Sequence, residues 1–313
     1  MQPAFSVIFL TTLIGAAQGL FLALYGAELV GMGGLNPQET SGFLWTGSLV
    51  ALGLSALGLV ASFFHLGRPE RAWRSAAMWR TSWLSREVIA LPLFMLGLCL
   101  YGAAHFWGSG QSRVIGAITT LACLALFVCT AMIYASVRFL QEWASPLTLV
   151  NYLLLGCASG LTLATLMAAA LDASSLVRPF AAVAAALTLL AWVTRSASLL
   201  RNARLKPKST LQSAIGIKHP RIVQKAMGFM GGSFNTREFF HGRSADLLRL
   251  IKWSFLLMVF PLPLMCLAFG VRAASTEMLF LAFAIQYLGL LAERWFFFAQ
   301  ANHPQNLYYQ TIS

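Results

Sequence analysis

Eight runs of about twenty or more mostly apolar residues follow one another along this chain, and they constrain its fold more than any single motif does. A helix needs about 20 apolar residues to cross the hydrocarbon core of a bilayer. Only segments that satisfy their own backbone hydrogen bonds can make that crossing. The runs fall at 5–30, 43–66, 84–107, 114–138, 147–171, 179–200, 253–272 and 276–299. Composition agrees: 58% of the 313 residues are hydrophobic and 10% are charged, against roughly 25% charged in soluble domains. The expected fold class is therefore all-α, a polytopic integral membrane bundle of eight transmembrane helices. Residues 1–313 are expected to form a single membrane domain. No basic leader with a small-residue cleavage site precedes the first run, so that run is expected to act as its own insertion signal.

Charge gives the expected orientation. An even number of spans puts both termini on one side, together with the 67–83 loop, the 139–146 turn and the 201–252 loop. That side holds 19 of the 22 Lys and Arg residues, and the other holds Arg113, Arg178 and Arg272. The positive-inside rule places the crowded side, and with it both termini, in the cytoplasm. The same rule explains the net charge of +12 without nucleic acid as a partner. The lipid bilayer is the partner that composition demands.

Between the second and third runs lies His65-Leu66-Gly67-Arg68-Pro69, followed by Arg71-Ala72 and then Ser82-Trp83-Leu84-Ser85-Arg86-Glu87. His65 closes one span and Glu87 opens the next, with Ser85 as the expected N-cap of the third helix. Ionisable groups at membrane depth are costly and point to function. Each residue also has a plainer role. Glu87 could compensate a helix dipole or pair with Arg86. His65 could be an interfacial helix end. The arginines could be positive-inside anchors, and Trp73, Trp79 and Trp83 an interfacial belt. Convergence on two consecutive helices favours a site.

The chemistry open to these residues is limited. A bis-histidine haem needs two imidazoles at one depth on facing helices, but His65 and His105 sit at opposite ends of the expected bundle. No haem is expected in this chain, and no metal-ligand set is apparent. Gly31-Met32-Gly33-Gly34 lacks the strand-and-helix setting of a phosphate loop. The five cysteines lie in spans without Cys-x-x-Cys spacing and are expected to pack. What remains is a ligand that enters from lipid and carries polar tips, and a quinone suits this description. A His can donate to a quinone oxygen and relay a proton, and a carboxylate can pass a proton to water. Tyr134, Arg138, Asn151, Glu293 and Arg294 are expected near the same surface. Gln18 and Gln286 are expected to form interhelical hydrogen bonds. Glu28, Asp172 and Glu277 are expected to be solvated at the outer boundary.

The long 201–252 loop is basic in its first part and carries Gly-Gly-Ser-Phe-Asn-Thr-Arg-Glu-Phe-Phe-His at 231–241. Two readings remain here, a loop folded over the helix ends or a surface for a partner. Aromatics beside Arg are common interface anchors. Phe234, Arg237, Glu238, Phe239 and Phe240 are therefore the expected docking residues.

The eight spans and the His65–Glu87 motif resemble the membrane anchor subunits of dimethyl sulfoxide reductase-type molybdoenzymes. The 234–241 segment looks like the version of that family found in cytoplasm-facing sulfite dehydrogenases. The resemblance implies a haem-free anchor in the bacterial inner (cytoplasmic) membrane, exchanging electrons between ubiquinone or menaquinone and an iron–sulfur subunit. That subunit in turn wires to a catalytic one that holds a Mo-bis-molybdopterin guanine dinucleotide cofactor, so iron–sulfur clusters and molybdenum belong to the partners. The family's quinone-site residues carry over to His65 and Glu87, then to Gly67 and Arg71, with Arg68 and Ser85 beside them. A polysulfide reductase-type or haem-containing quinone anchor is an alternative. A secondary transporter is another, but the chain shows no internal repeat and no carboxylate deep in the membrane.

Overall fold

A computed structural model describes residues 1–31, 36–64, 66–206, 208–223 and 241–304. Among them no strand occurs. The helices are α1 (Phe5–Val30), α2 (Pro37–Phe63), α3 (Trp83–Phe106), α4 (Ser112–Ala135), α5 (Pro146–Ala170) and α6 (Ser174–Ala203). They continue with the short α7 (Leu211–Ile215), then α8 (Ala245–Val259), α9 (Pro261–Ala273) and α10 (Thr276–Ala299). A 3-10 segment, Pro69–Ala76, lies in the link between α2 and α3. Eight crossings are long and apolar enough to span a membrane, the seventh being α8 and α9 together.

Local chemistry explains where the helix ends depart from the apolar runs. The second helix starts at Pro37, not at 43. Asn36 accepts from the Glu39 amide at 2.8 Å, and Glu39 accepts from the Asn36 amide at 3.1 Å. This reciprocal cap, with Pro at the first helical position, begins the helix on polar residues that a hydropathy count ignores. Hydropathy predicts the seventh crossing as one helix over 253–272. It begins instead at Ala245, capped by Ser244, and breaks at Phe260 (φ −113°, ψ −81°) before Pro261. Proline lacks the amide to continue the ladder and disfavours helical geometry in the residue before it. Helix α6 likewise runs on to Ala203, so the 201–252 link is shorter at both ends than expected.

Helices α1 and α5 are the most deeply buried crossings and form the centre of the bundle. They meet through two Gly-x-x-x-Gly pairs, Gly15 with Gly19 and Gly156 with Gly160. A Cβ on Gly19 would lie 2.3 Å from the Gly156 carbonyl oxygen, and one on Gly160 would lie 2.1 Å from the Leu20 amide nitrogen. Small residues permit such backbone contact, which replaces the hydrophobic driving force that lipid does not supply. Helices α2, α4 and α10 also pack on α1, and α3 packs between α2 and α4.

An aromatic plate closes one end of the bundle. Tyr134, Trp143, Tyr152, Phe297 and Phe298 pack there with Ile8 and Ala301. Trp143 donates its indole N–H to the Phe297 carbonyl at 2.9 Å, and the Met1 amine donates to the Ala301 carbonyl at 2.7 Å. Arg201 donates from the end of α6 to the carbonyls of Gln141 (3.0 Å) and Ala144 (3.3 Å). The start of α1, the α4–α5 turn and the ends of α6 and α10 are thus tied together at this end. The chain order puts the start of α3 there too.

Candidate functional site

The start of α3 fixes the first site residue. Ser82, not Ser85, caps the helix, its hydroxyl accepting from the Ser85 amide at 3.4 Å. The expectation for Ser85 is corrected: it is a buried residue of the first turn. Arg86 leans back over the preceding link. It donates to the carbonyls of Trp79 (2.9 Å) and Arg80 (2.8 Å) and lies 4.2 Å from the Trp83 ring centroid. The next residue on a helix points about 100° away. Glu87 therefore turns into the bundle, where it is 9% exposed and accepts from the Thr130 hydroxyl of α4 at 2.5 Å. It lies just past the first turn and does not pair with Arg86, which removes both plainer roles considered for it.

Glu87 and Thr130 form part of the wall of a cleft between α1, α3, α4, α5 and α10. Counted with its open mouth the cleft is about 470 Å³, but its enclosed part is far smaller. It is a narrow slot with room for a water or two. Gln18, Tyr152, Ser159 and Arg294 contribute further polar wall, and Gly15 and Gly156 bring the α1–α5 glycine crossing to it. The Gln18 amide donates across to the Cys123 carbonyl at 2.8 Å. Gln286 donates to Thr188 (3.3 Å). Both glutamines bond between helices as expected.

Behind the cleft lies an ionic group that sequence patterning does not assemble. The Glu293 carboxylate forms an ion pair with Arg195 Nε at one oxygen and accepts a hydrogen bond from Arg294 Nε at the other, each at 2.6 Å. All three side chains are buried, Glu293 completely. The Arg294 guanidinium also lies 4.0 Å from the Tyr152 ring centroid, and Arg195 lies 5.6 Å from that of Phe255. Arg294 Nη1 and Arg195 Nη2 are buried without a hydrogen-bond partner. By position in the chain, Arg195 counts among the loop cations, and Glu293 and Arg294 are expected near that membrane surface; the structure adds that all three are buried together inside the protein. The available signal is an Arg inside the hydrophobic length of α6 and a Glu-Arg pair inside that of α10. Their pairing needs the fold.

The remaining predicted residues are distributed as follows. His65 lies outside the described residues, as do Phe234, Arg237, Glu238, Phe239 and Phe240. Gly67, Arg68 and Arg71 are exposed in the link before α3, and Arg71 Nε stands 3.9 Å from Glu70; none of the three lines the cleft. At the opposite end Glu28 is buried, contrary to expectation. It accepts from Tyr101 (2.7 Å) and Ser112 (2.6 Å), with His105 Nε2 at 3.6 Å. These donors replace the water that the carboxylate was expected to meet. Asp172 and Glu277 are exposed as expected. Among the described residues no three His, Cys, Asp or Glu side chains converge as a metal site.

Comparison with known proteins agrees with this architecture. The profile of the DMSO reductase anchor subunit family (DmsC) matches residues 1–299. The chain is also 53% identical, over 326 aligned positions covering all of both chains, to a protein of Allochromatium vinosum named as a subunit of sulfite dehydrogenase. A family match across nearly the whole length, joined to eight crossings that can span a bilayer, makes this multi-pass membrane protein a member of the DMSO reductase anchor subunit family.

Proposed function

We propose that this protein holds a quinone head group in the Glu87 cleft, which must widen beyond its room for a water or two to admit the ring, and moves protons to or from it. The quinone's electrons pass between it and an iron–sulfur partner subunit. The observation that carries this reading is the Glu87 carboxylate: buried, held on one oxygen by Thr130, and facing a polar slot among apolar helices. A carboxylate kept in such a place at the cost of desolvation needs a reason. Reducing a quinone to a quinol takes up two electrons and two protons, and a carboxylic acid can deliver one proton to a ring oxygen while its conjugate base takes it back. Thr130 orients the carboxylate and leaves the second oxygen for the ligand. His65, which opens the preceding link in sequence, is proposed as the partner that relays protons to water.

Several features support the wider assignment. The family anchors molybdoenzyme complexes, so an iron–sulfur subunit and a molybdopterin catalytic subunit are the proposed partners. The relative's name favours sulfite as the electron donor, with electrons running from sulfite to the quinone. The proposed location is the bacterial inner membrane with the Glu87 end facing the cytoplasm. Burial of Arg195 and Arg294 removes two cations from the loop count and leaves the asymmetry large. Phe234, Arg237, Glu238, Phe239 and Phe240 are proposed to dock the iron–sulfur partner.

Glu87→Gln in the intact complex tests the site. It keeps shape and removes the exchangeable proton. Quinone-linked turnover should fall by about 10²–10⁴, the usual worth of a positioned proton donor. Turnover with a soluble artificial electron carrier, which bypasses the anchor, should persist. Thr130→Val should give a smaller loss of the same kind. Normal quinone-linked rates in both Glu87→Gln and His65→Ala would exclude the cleft as the quinone site.

A further inference from the structure

We infer that Arg294 is the second polar contact for the ligand, donating from Nη1 to one ring oxygen while Glu87 exchanges a proton with the other. This inference rests on the quinone reading above and assigns a second polar wall of the same cleft. Arg294 is 4% exposed and lines that cleft. Its Nε is committed to Glu293 at 2.6 Å, and its face is held over Tyr152 at 4.0 Å. These two contacts fix the plane of the guanidinium. Nη1 is buried and makes no hydrogen bond of normal geometry, with the equally unpartnered Tyr152 hydroxyl as its nearest protein acceptor. A buried donor without a good acceptor is costly and uncommon, and the Arg294 side chain borders the slot.

Charge favours the same occupant. Two guanidiniums share the single Glu293 carboxylate, so the group carries an excess positive charge. Arginine only donates hydrogen bonds and does not deprotonate. It therefore suits an oxygen that remains an acceptor and gains electron density on reduction. Glu87 can accept when ionised and donate when protonated. The two walls thus differ in hydrogen-bonding sense, as a ligand with two ring oxygens in unequal roles requires. That describes a 1,4-quinone head group. On reduction two electrons arrive from the partner's iron–sulfur centre. One proton leaves the Glu87 carboxyl as an O–H bond forms on the facing oxygen, and Glu87 then regains a proton from water. The second proton reaches the Arg294-facing oxygen from water in the cleft, since the guanidinium keeps its own. Glu293 and Arg195 act as positioning residues that hold Arg294 in place.

The test uses the whole complex in detergent. A short-chain quinone bearing a photoreactive azide is illuminated with the wild-type complex, and labelled peptides are identified by mass spectrometry, with decylubiquinone as competitor. Competed labelling within 152–159 of α5 and 290–294 of α10 is expected. Competed labelling confined to other helices would overturn the inference. In parallel, Arg294→Lys keeps the charge but loses the fork, and Arg294→Gln loses both. Each should raise KM for decylubiquinone about tenfold or more, the loss of a charge-assisted hydrogen bond. Glu87→Gln should lower kcat instead. If Arg294→Gln does not assemble, Arg294→Lys and the wild-type labelling decide. A defective Glu87→Gln beside normal KM in Arg294→Lys and no label on α10 would refute this inference alone. Normal quinone-linked rates in both Glu87→Gln and His65→Ala would refute the quinone reading beneath it.

Discussion

Replacing Gly160 with alanine should loosen the centre of the bundle, and the structure sets the scale. The new Cβ would lie 2.1 Å from the Leu20 amide nitrogen, 2.2 Å from the Gly19 carbonyl carbon and 2.4 Å from the Gly19 Cα. All three are backbone atoms, so no side chain can swing aside. Restoring ordinary contacts of about 3.5 Å requires α1 and α5 to part by about 1 Å or more. Overpacking of this kind costs about 1–3 kcal/mol, and each kcal/mol lowers Tm by about 2–4 °C in chains of comparable size. Gly53→Ala is the matched control, because nothing lies within 4 Å of the Cβ it would add on α2. Both changes gain the same helix propensity, about 1 kcal/mol, so their difference isolates the clash. Thermal unfolding of the purified protein, followed by tryptophan fluorescence, should show Gly160→Ala below Gly53→Ala by about 2–12 °C. Gly156 and Ser159 line the cleft on the same stretch of α5. A shift of about 1 Å there can cost up to about 10² in rate, so quinone-linked turnover should fall with stability. Equal Tm values for the two variants would refute the claim that the glycine crossing sets the α1–α5 distance.

Three further outcomes can be checked. Tyr101→Phe and Glu28→Gln should each destabilise the protein by about 1–3 kcal/mol, since each disrupts a buried hydrogen-bonded group; unchanged unfolding in both would show that the carboxylate does not tie α1, α3 and α4 together. His241 is buried, accepts from the Arg243 amide at 3.0 Å and lies tilted against Trp295 with ring centroids 6.2 Å apart, and this burial holds its pKa below the ordinary value of 6.5. The docked chain at 241–245 should therefore be fully stable above about pH 6.5 and weaken as pH falls through that value toward the lower folded one, because only the undocked His gains a proton there; hydrogen exchange on either side of about pH 6.5 should show this, and His241→Phe should abolish it. Reporter fusions at Ser313 and in the 108–113 link should report cytoplasmic and exported positions respectively, and an exported signal at Ser313 would invert the proposed orientation.

The amino-acid sequence alone determined the eight crossings, because membrane thickness converts a run of apolar residues directly into a helix. It also singled out Glu87, since a carboxylate at the edge of such a run is conspicuous against a background with few charges. Interhelical bonding by Gln18 and Gln286 was legible for the same reason: a polar side chain deep in a span has only neighbouring helices to bond. Helix ends were less legible. The Asn36–Glu39 cap and the Pro261 break depend on local hydrogen bonding that hydropathy does not register. Which distant groups meet follows from helix packing alone. Arg195 and Glu293 come from different helices far apart in the chain, and Glu87 meets Thr130 from another helix. Glu28 looked solvated until α3 and α4 brought Tyr101 and Ser112 to it. A span shows in one dimension because its partner is the bilayer, whereas a buried ion pair depends on how helices rotate and cross. Here that geometry is set by glycines that let two backbones touch.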